Sequence, residues 1–327
     1  MAMDKNNKFN VEDFLCGCNS DLGLSCNTTG DTKLDNIQNR TLENGCGFAS
    51  GCGCNESSAT GPVAVVVGGS SGIGLATAIR LSKSGYTVYN LSRRSADICN
   101  LCVPTLHSIP CDVESDCDVS EAIGSVLRKE KHIDVLVYSA GISLAAPLEH
   151  TTETDFRRIF EVNYFGFIKA LWQVLPLMRK ARQGRIVVVS SLAGSCPIPF
   201  DSAYSAAKAS LDITVRTLAQ ELKPFNIKLT AIAPGGVATN FTFKRKRYPL
   251  EVVGEYADAM DKATTSLALI EQKGLDPHDV GEAIVELLKA KRPKCNCGVG
   301  ISSKAVGLMQ KILPTSLGDM INARVYK

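Results

Sequence analysis

Val63–Gly74 reads VAVVVGGSSGIG, and this stretch decides the fold. An apolar, mostly β-branched run breaks into two glycines, two serines and a Gly-Ile-Gly. Such a run is what a parallel strand covered on both faces requires. Glycine admits the backbone of a tight turn and lets the main chain approach a ligand closely. The helix N-terminus beyond offers free amides and a favourable dipole to a pyrophosphate. The stretch therefore predicts a dinucleotide site built by Gly68, Ser70, Ser71, Gly72, Ile73 and Gly74.

Downstream, apolar strands alternate with helical stretches. Strands are expected at Thr87–Leu91, Ser108–Cys111, Ile133–Tyr138, Arg185–Ser190 and Lys228–Ala233. Helices are expected at Gly74–Ser84, Val119–Lys129, Glu153–Arg182 (broken near Gly166) and Asp201–Leu222. Alternation of this kind with short links predicts an α/β fold, a Rossmann-type doubly wound parallel sheet in a single domain spanning 61–327. Upstream, residues 1–60 are rich in Asn, Gly, Ser, Thr and Cys, with four basic side chains against eight acidic ones. That composition predicts a disordered Cys-rich N-terminal extension.

Two further sites follow from chemistry and spacing. Tyr204 and Lys208 stand four apart on one expected helix, so they share a face. An ammonium there favours phenolate and makes the tyrosine a usable acid/base. Ser191, thirteen residues earlier, follows a strand and is placed to donate to an oxygen as charge develops on it; Ser190 competes for that role. The second strand ends Ser92-Arg93-Arg94, where an NAD site commonly carries an acid. Guanidinium groups bind a 2′-phosphate with charge-assisted bonds, so the expected cofactor is NADP(H). The alternative is that the arginines are merely solvated.

Together these features resemble the short-chain dehydrogenase/reductase family, from about Val63 to Thr239 and more weakly beyond. The glycine turn matches that family's TGxxxGxG, with Val67 in place of Thr. Ser191 is preferred to Ser190 because SLAG matches the S-x-x-G pattern, and Tyr204 and Lys208 supply YxxxK. The resemblance implies that Lys208 also bonds the nicotinamide ribose. It implies that Asn163, in FEVNYFG, opens its helix and holds a water in a proton relay to Lys208. Asp112 and Val113 would contact the adenine. Tyr138-Ser139-Ala140-Gly141 stands where the family has NNAG; Ala140 and Gly141 match, and Ser139 departs. Pro234, Gly235, Val237 and Thr239 match PGxxxT and would contact the nicotinamide end, while Thr230 replaces an Asn.

The long segment 240–275 stands where that family has its substrate lid, and Ala283–Lys294 loosely resembles the hydroxysteroid and retinol dehydrogenase branch. This implies a secondary alcohol or ketone on a bulky apolar small molecule such as a hydroxysteroid. Reduction of a 3-oxoacyl thioester is the alternative enzyme. A dinucleotide-sensing regulator would be expected to lack an intact Ser-Tyr-Lys set. Lys244, Arg245, Lys246 and Arg247 read as a solvated face, with binding of an acidic partner as the alternative. The partly amphipathic stretch Val299–Tyr326 reads as core packing, with a cover over the pocket, a dimer contact or a membrane contact as the alternatives.

Composition narrows the classes further. The chain has 327 residues, 45% hydrophobic and 21% charged, as in globular enzymes. A net charge of +3 gives no case for nucleic acid. No apolar run reaches the ~20 residues of a membrane span. The polar start lacks a secretory h-region, so the expected compartment is cytoplasmic and the 13 cysteines are expected reduced, with a metal or redox role for the CxC pairs at 16–18, 52–54 and 295–297 as the alternative. None of the four histidines stands in a metal-ligand spacing, no GxSxG surrounds Ser191, and no catalytic metal is expected. A homodimer or homotetramer is the expected assembly.

Overall fold

Every residue of β1 (Val63–Val67) is buried. Val63, Val65 and Val67 enter one hydrophobic core, and Ala64 and Val66 enter another. Side chains alternate across a strand, so the two cores lie on opposite faces of the sheet. The computed structural model describes residues 61–94 and 103–300, together with 303, 317, 320, 324 and 326. The expected extension over 1–60 and most of Val299–Tyr326 lie outside the described residues.

Around β1 the sheet adds β2 (Thr87–Ser92), β3 (Leu106–Pro110) and β4 (Val135–Tyr138). A short β5 (Leu144–Ala145) lies outside it, followed by β6 (Gly184–Val189) and β7 (Ile227–Pro234) within it. A short β8 (Lys246–Arg247) pairs with β5, and β9 (Asn296–Val299) closes the main sheet. The seven strands of the main sheet run in the order β3-β2-β1-β4-β6-β7-β9, all parallel. The chain runs outward from β1 through β2 to β3, then returns to pair β4 on the other side of β1. Ligands bind at such reversals, outside the carboxyl ends of the strands.

One face is covered by α1 (Gly72–Lys83). The other carries α2 (Asp116–Glu130), whose cap Ser115 accepts from the Asp118 N–H at 3.2 Å. After it come α3 (Glu153–Phe160), a π-turn (Glu161–Phe165) and α4 (Gly166–Ala181). Then α5 (Ser202–Glu221) packs Leu211 and Val215 into the same core. Beyond β7 come α6 (Phe241–Lys244), α7 (Ala257–Gln272) and α8 (Pro277–Lys289). Helix α8 joins α1 in the first layer through Val280, Ile284, Val285 and Leu288. Gly281 makes that approach close, since a Cβ there would lie 3.0 Å from the Thr77 amide nitrogen.

The expected parallel sheet with helices on both faces is present. The long helix expected over 153–182 is broken near Gly166, as expected, and the break is a π-turn ending just before that residue. The Tyr138 hydroxyl donates to the Val162 carbonyl at 2.5 Å inside that turn. Gly166 sits beneath the same phenol, and a Cβ there would come within 3.0 Å of Val113. Strand β9 was not anticipated, because Asn296-Cys297-Gly298-Val299 has no β-branched run to announce it. Of the CxC pairs, only Cys295 and Cys297 fall among the described residues, and the Cys297 thiol donates to the Lys294 carbonyl at 3.7 Å. Among the described residues, no helix is long and apolar enough to cross a membrane.

Candidate active site

The carboxyl ends of β1 and β4 meet at Gly68 and Ser139. Gly68 donates to the Leu91 carbonyl at 2.8 Å, and Ser139 to the Val67 carbonyl at 2.8 Å. Gly68 has φ +83°, and a Cβ there would lie 2.7 Å from the Ala140 Cα. The following turn cannot carry a side chain at that point and keep the crevice. Ser71 caps α1 with extended backbone and no side-chain bond, and the first turn of α1 holds no acid. Its leading amides are therefore open to an anion. Gly74 lies behind the turn, packed on the Gly68 carbonyl, and not on the cavity wall. Sequence reasoning passed over Asn90, which is fully buried under the turn; its Nδ2 donates to the Ser108 hydroxyl at 3.0 Å.

Along β2 the Ser92 hydroxyl donates to the Arg94 carbonyl at 2.6 Å and stiffens the exit from the strand. Arg93 and Arg94 both line the cavity. Arg93 leans toward Glu114 at 3.8 Å, and Arg158 holds the same carboxylate at 3.2 Å. Asp112 folds back on its own loop, accepting from the Glu114 N–H at 3.0 Å. Asp112 and Val113 also line the wall.

Tyr204, Lys208 and Ser191 converge on the opposite side. The Ser191 hydroxyl faces the Tyr204 phenol and accepts from the Ala193 N–H at 3.1 Å. Ser190 turns instead toward α5, reaching the Lys208 carbonyl at 3.5 Å and the Asp212 carboxylate. Lys208 is buried; its Nζ donates to the Val189 carbonyl at 2.8 Å and lies 5.5 Å from the Tyr204 ring centroid. Burial pushes its ammonium down to about 8, and Asp212 opposes the fall. The expected acidic phenol is not what the surroundings produce. Tyr204 packs among Leu144, Ala193 and Ala207, and burial raises its pKa, with the Ser191 hydroxyl opposing. Spacing alone carried no information about that desolvation.

Asn163 is fully buried in the π-turn and does not line the cavity. Its Nδ2 donates to the carbonyls of Ile142 and Ile159, each at 2.8 Å, and its Oδ1 accepts from the Ile142 N–H at 3.3 Å. The Ile159 carbonyl is the one that Asn163's own backbone N–H would take in an uninterrupted α-helix. The side chain thus covers for the widened turn. A Cβ on Gly141 would lie 2.9 Å from Asn163 Oδ1 and 3.8 Å from Lys208 Nζ, so Gly141 is wedged between them.

Past β7, Pro234, Gly235, Val237 and Thr239 border the cavity. Val237 bridges to Leu275, and the Thr239 hydroxyl accepts from the Phe241 N–H at 3.2 Å. Of the basic run Lys244–Arg247, Lys244, Lys246 and Arg247 are exposed, as a solvated face requires, and Arg245 turns inward. Lys246 pairs with Asp155 at 2.7 Å and Arg247 with Asp261 at 2.6 Å. The Arg245 side chain is only 7% exposed and meets Glu271 at 2.6 Å. Asp201, Ser143 and Glu271 around it were not singled out from the sequence. A charge run hides which of its members turns inward.

One cavity of about 860 Å³ joins these regions. It brings together every expected site residue except Gly74 and Asn163. The glycine turn, the open helix N-terminus and the basic β2 exit suit the diphosphate and ribose end of a nicotinamide dinucleotide. Ser191, Tyr204 and Lys208 suit its reactive end.

A family model described as short chain dehydrogenase matches residues 62–248. The chain is 33% identical over 241 residues to a 3-ketodihydrosphingosine reductase of Bacteroides thetaiotaomicron, covering 73% of this chain and 87% of that protein. It is 32% identical over 255 residues to retinol dehydrogenase 8 of Homo sapiens, covering 72% and 80%. Among solved structures, a short-chain dehydrogenase from Streptomyces avermitilis superposes with a TM-score of 0.68 at 28% identity, covering 77% of this chain and 94% of the other.

Proposed function

The chain belongs to the short-chain dehydrogenase family, and from that premise we propose that it is an NADP(H)-dependent oxidoreductase interconverting a secondary alcohol and a ketone on a bulky, largely apolar molecule. The observation that carries the reading is the meeting of Ser191, Tyr204 and Lys208 in the cavity that begins at the glycine turn. The nicotinamide, when bound, supplies or accepts the hydride.

The chain's own part is the proton. Tyr204 gives its phenolic proton to the substrate oxygen in the reducing direction and takes it back in the oxidising one. Burial keeps the phenol protonated at neutral pH, the state that reduction needs. Ser191 donates to the same oxygen as negative charge develops there. Lys208, held by the Val189 carbonyl, places its ammonium behind the ring and eases the phenolate left after transfer. Asn163 fixes Ile142 beside Gly141 and so the floor under Lys208. Ser92, Arg93 and Arg94 would hold the 2′-phosphate that favours NADP(H) over NAD(H).

Substrate size and character are supported by the far wall, where Leu144, Ile159, Ile198, Phe241, Leu267 and Ile270 line the cavity. Retinol and 3-ketodihydrosphingosine, named for two relatives, each carry a long hydrocarbon body, and a hydroxysteroid is similar in bulk. A homodimer or homotetramer is part of the same proposal, supported by the exposed Phe165 and Trp172 and by Ile213 on α5. The test is NADPH oxidation against a panel of apolar ketones, with Tyr204→Phe beside the wild type. Turnover should fall by ~10²–10⁴-fold in the variant while NADPH binding persists. Wild-type turnover in Tyr204→Phe would sink the mechanism.

A further inference from the structure

At the end of the cavity beyond Tyr204, the apolar wall is interrupted by Arg245. It lies between α6 and β8 and is almost fully covered. Its Nε donates to the Ser143 hydroxyl at 2.9 Å, and Ser143 donates in turn to Asp201 at 2.7 Å. Its Nη2 donates to Glu271 at 2.6 Å, and Thr242 fills the other Glu271 oxygen at 2.6 Å. A guanidinium carries five N–H donors. Among the described residues, nothing accepts from Nη1 of Arg245. Tyr326 lines the same wall, half-buried, with its phenol as a further donor. Burial is the first cause of its pKa being pushed up to about 12, so it stands there as a neutral O–H.

Arg245 and Tyr326 thus offer donors to a cavity that Leu144, Ile198, Phe241, Leu267 and Ile270 also line, and a ligand made only of hydrocarbon would pair with neither. The sign of charge narrows the partner. Glu271 already matches the guanidinium, and Asp201 stands 4.0 Å from it on the other side. An anionic group would therefore meet no net positive charge. An ammonium would find the Glu271 oxygens already taken by Arg245 and Thr242, and Asp201 lies behind the wall. A neutral oxygen acceptor fits.

We propose, on the oxidoreductase reading above, that Arg245 and Tyr326 form a second anchor taking a hydroxyl or carbonyl oxygen at the far end of an otherwise apolar substrate. The anchor is one aromatic ring away from the chemistry. Phe241 lies 5.8 Å from the Tyr204 ring and 5.9 Å from the Arg245 guanidinium. The favoured substrate therefore carries two oxygen functions at opposite ends of a rigid or extended body. Only the one at Tyr204 and Ser191 reacts.

The probes are androstanone and hydroxyandrostanone, ketones of one skeleton that differ by a hydroxyl on the ring farthest from the reacting group. Each is titrated into the protein–NADPH complex by NADPH fluorescence, and kcat/KM is measured alongside. Wild type should bind the hydroxylated ketone about tenfold more tightly, the scale of one neutral hydrogen bond. Tyr326→Phe removes only the hydroxyl and should cut that preference at least threefold. Arg245→Gln should abolish the remainder. Because the readout is a ratio between two ketones, general loosening of the fold does not imitate it. An unchanged ratio in both variants overturns the anchor, as does failure of both ketones to bind. A binding preference without turnover would support the anchor and sink the oxidoreductase reading instead.

Discussion

Replacing Asn163 with alanine tests the part of the site that touches neither substrate nor cofactor. The side chain is fully buried and satisfies three backbone groups of two different segments. The Ile142 and Ile159 carbonyls lose the Asn163 side-chain donor, and the Ile142 N–H loses a longer bond. An unsatisfied buried group costs about 1–3 kcal/mol. Two strong losses and one weak one give a destabilisation of about 3–5 kcal/mol. That is a large share of the ~5–15 kcal/mol that holds a typical domain together. Gly141, wedged against Asn163 and Lys208, should shift with Ile142, so turnover should fall beyond what the loss of folded protein explains. Urea unfolding followed by circular dichroism gives the stability change, and turnover is then measured well below the transition. A loss under about 1 kcal/mol would refute the reasoning, because it would mean the π-turn satisfies its own carbonyls.

Lys208→Met should separate stability from function. The folded ammonium has a pKa near 8, against 10.5 when unperturbed, so its burial opposes folding at neutral pH, and that opposition fades as pH rises from about 8 to 10.5. The variant should be more stable at pH 7 by about 2 kcal/mol, after losing the bond to Val189, and inactive; its stability should lack the wild type's rise over that alkaline window, as pH-dependent melts would show. Changing Arg93 and Arg94 together to alanine should weaken NADPH by about tenfold or more and NADH by much less, and equal weakening in fluorescence titrations would remove the case for a 2′-phosphate site. Tyr138→Phe should destabilise by about 1–2 kcal/mol in urea, since its phenol is buried and bonded to the Val162 carbonyl of the π-turn.

The parallel sheet was legible because β1, β6 and β7 are apolar runs bounded by turn residues, and burial on both faces demands that pattern. Ser191, Tyr204 and Lys208 were legible because a strand end and one helical turn fix their relative positions. The rest depended on groups distant in sequence. Asn296–Val299 becomes a strand only because β7 offers it an edge. Arg245 turns inward because Ser143, a hundred residues upstream, and Glu271 on α7 wait for it. The Tyr204 pKa rises because of what packs around the ring, which its i, i+4 partner does not disclose.

The late pairing of β9 has a consequence for how the polypeptide is made. Strand β7 is buried along most of its length in the finished sheet, yet its outer edge stays unpaired until β9 has been synthesised roughly 60 residues later. At ~5–20 residues per second, a ribosome leaves that edge open for about 3–12 s. An apolar strand with free N–H and C=O groups is a template for pairing with another chain. On the ribosome, the outer edge of β7 is therefore expected to be open to pairing with another chain until the last strand arrives.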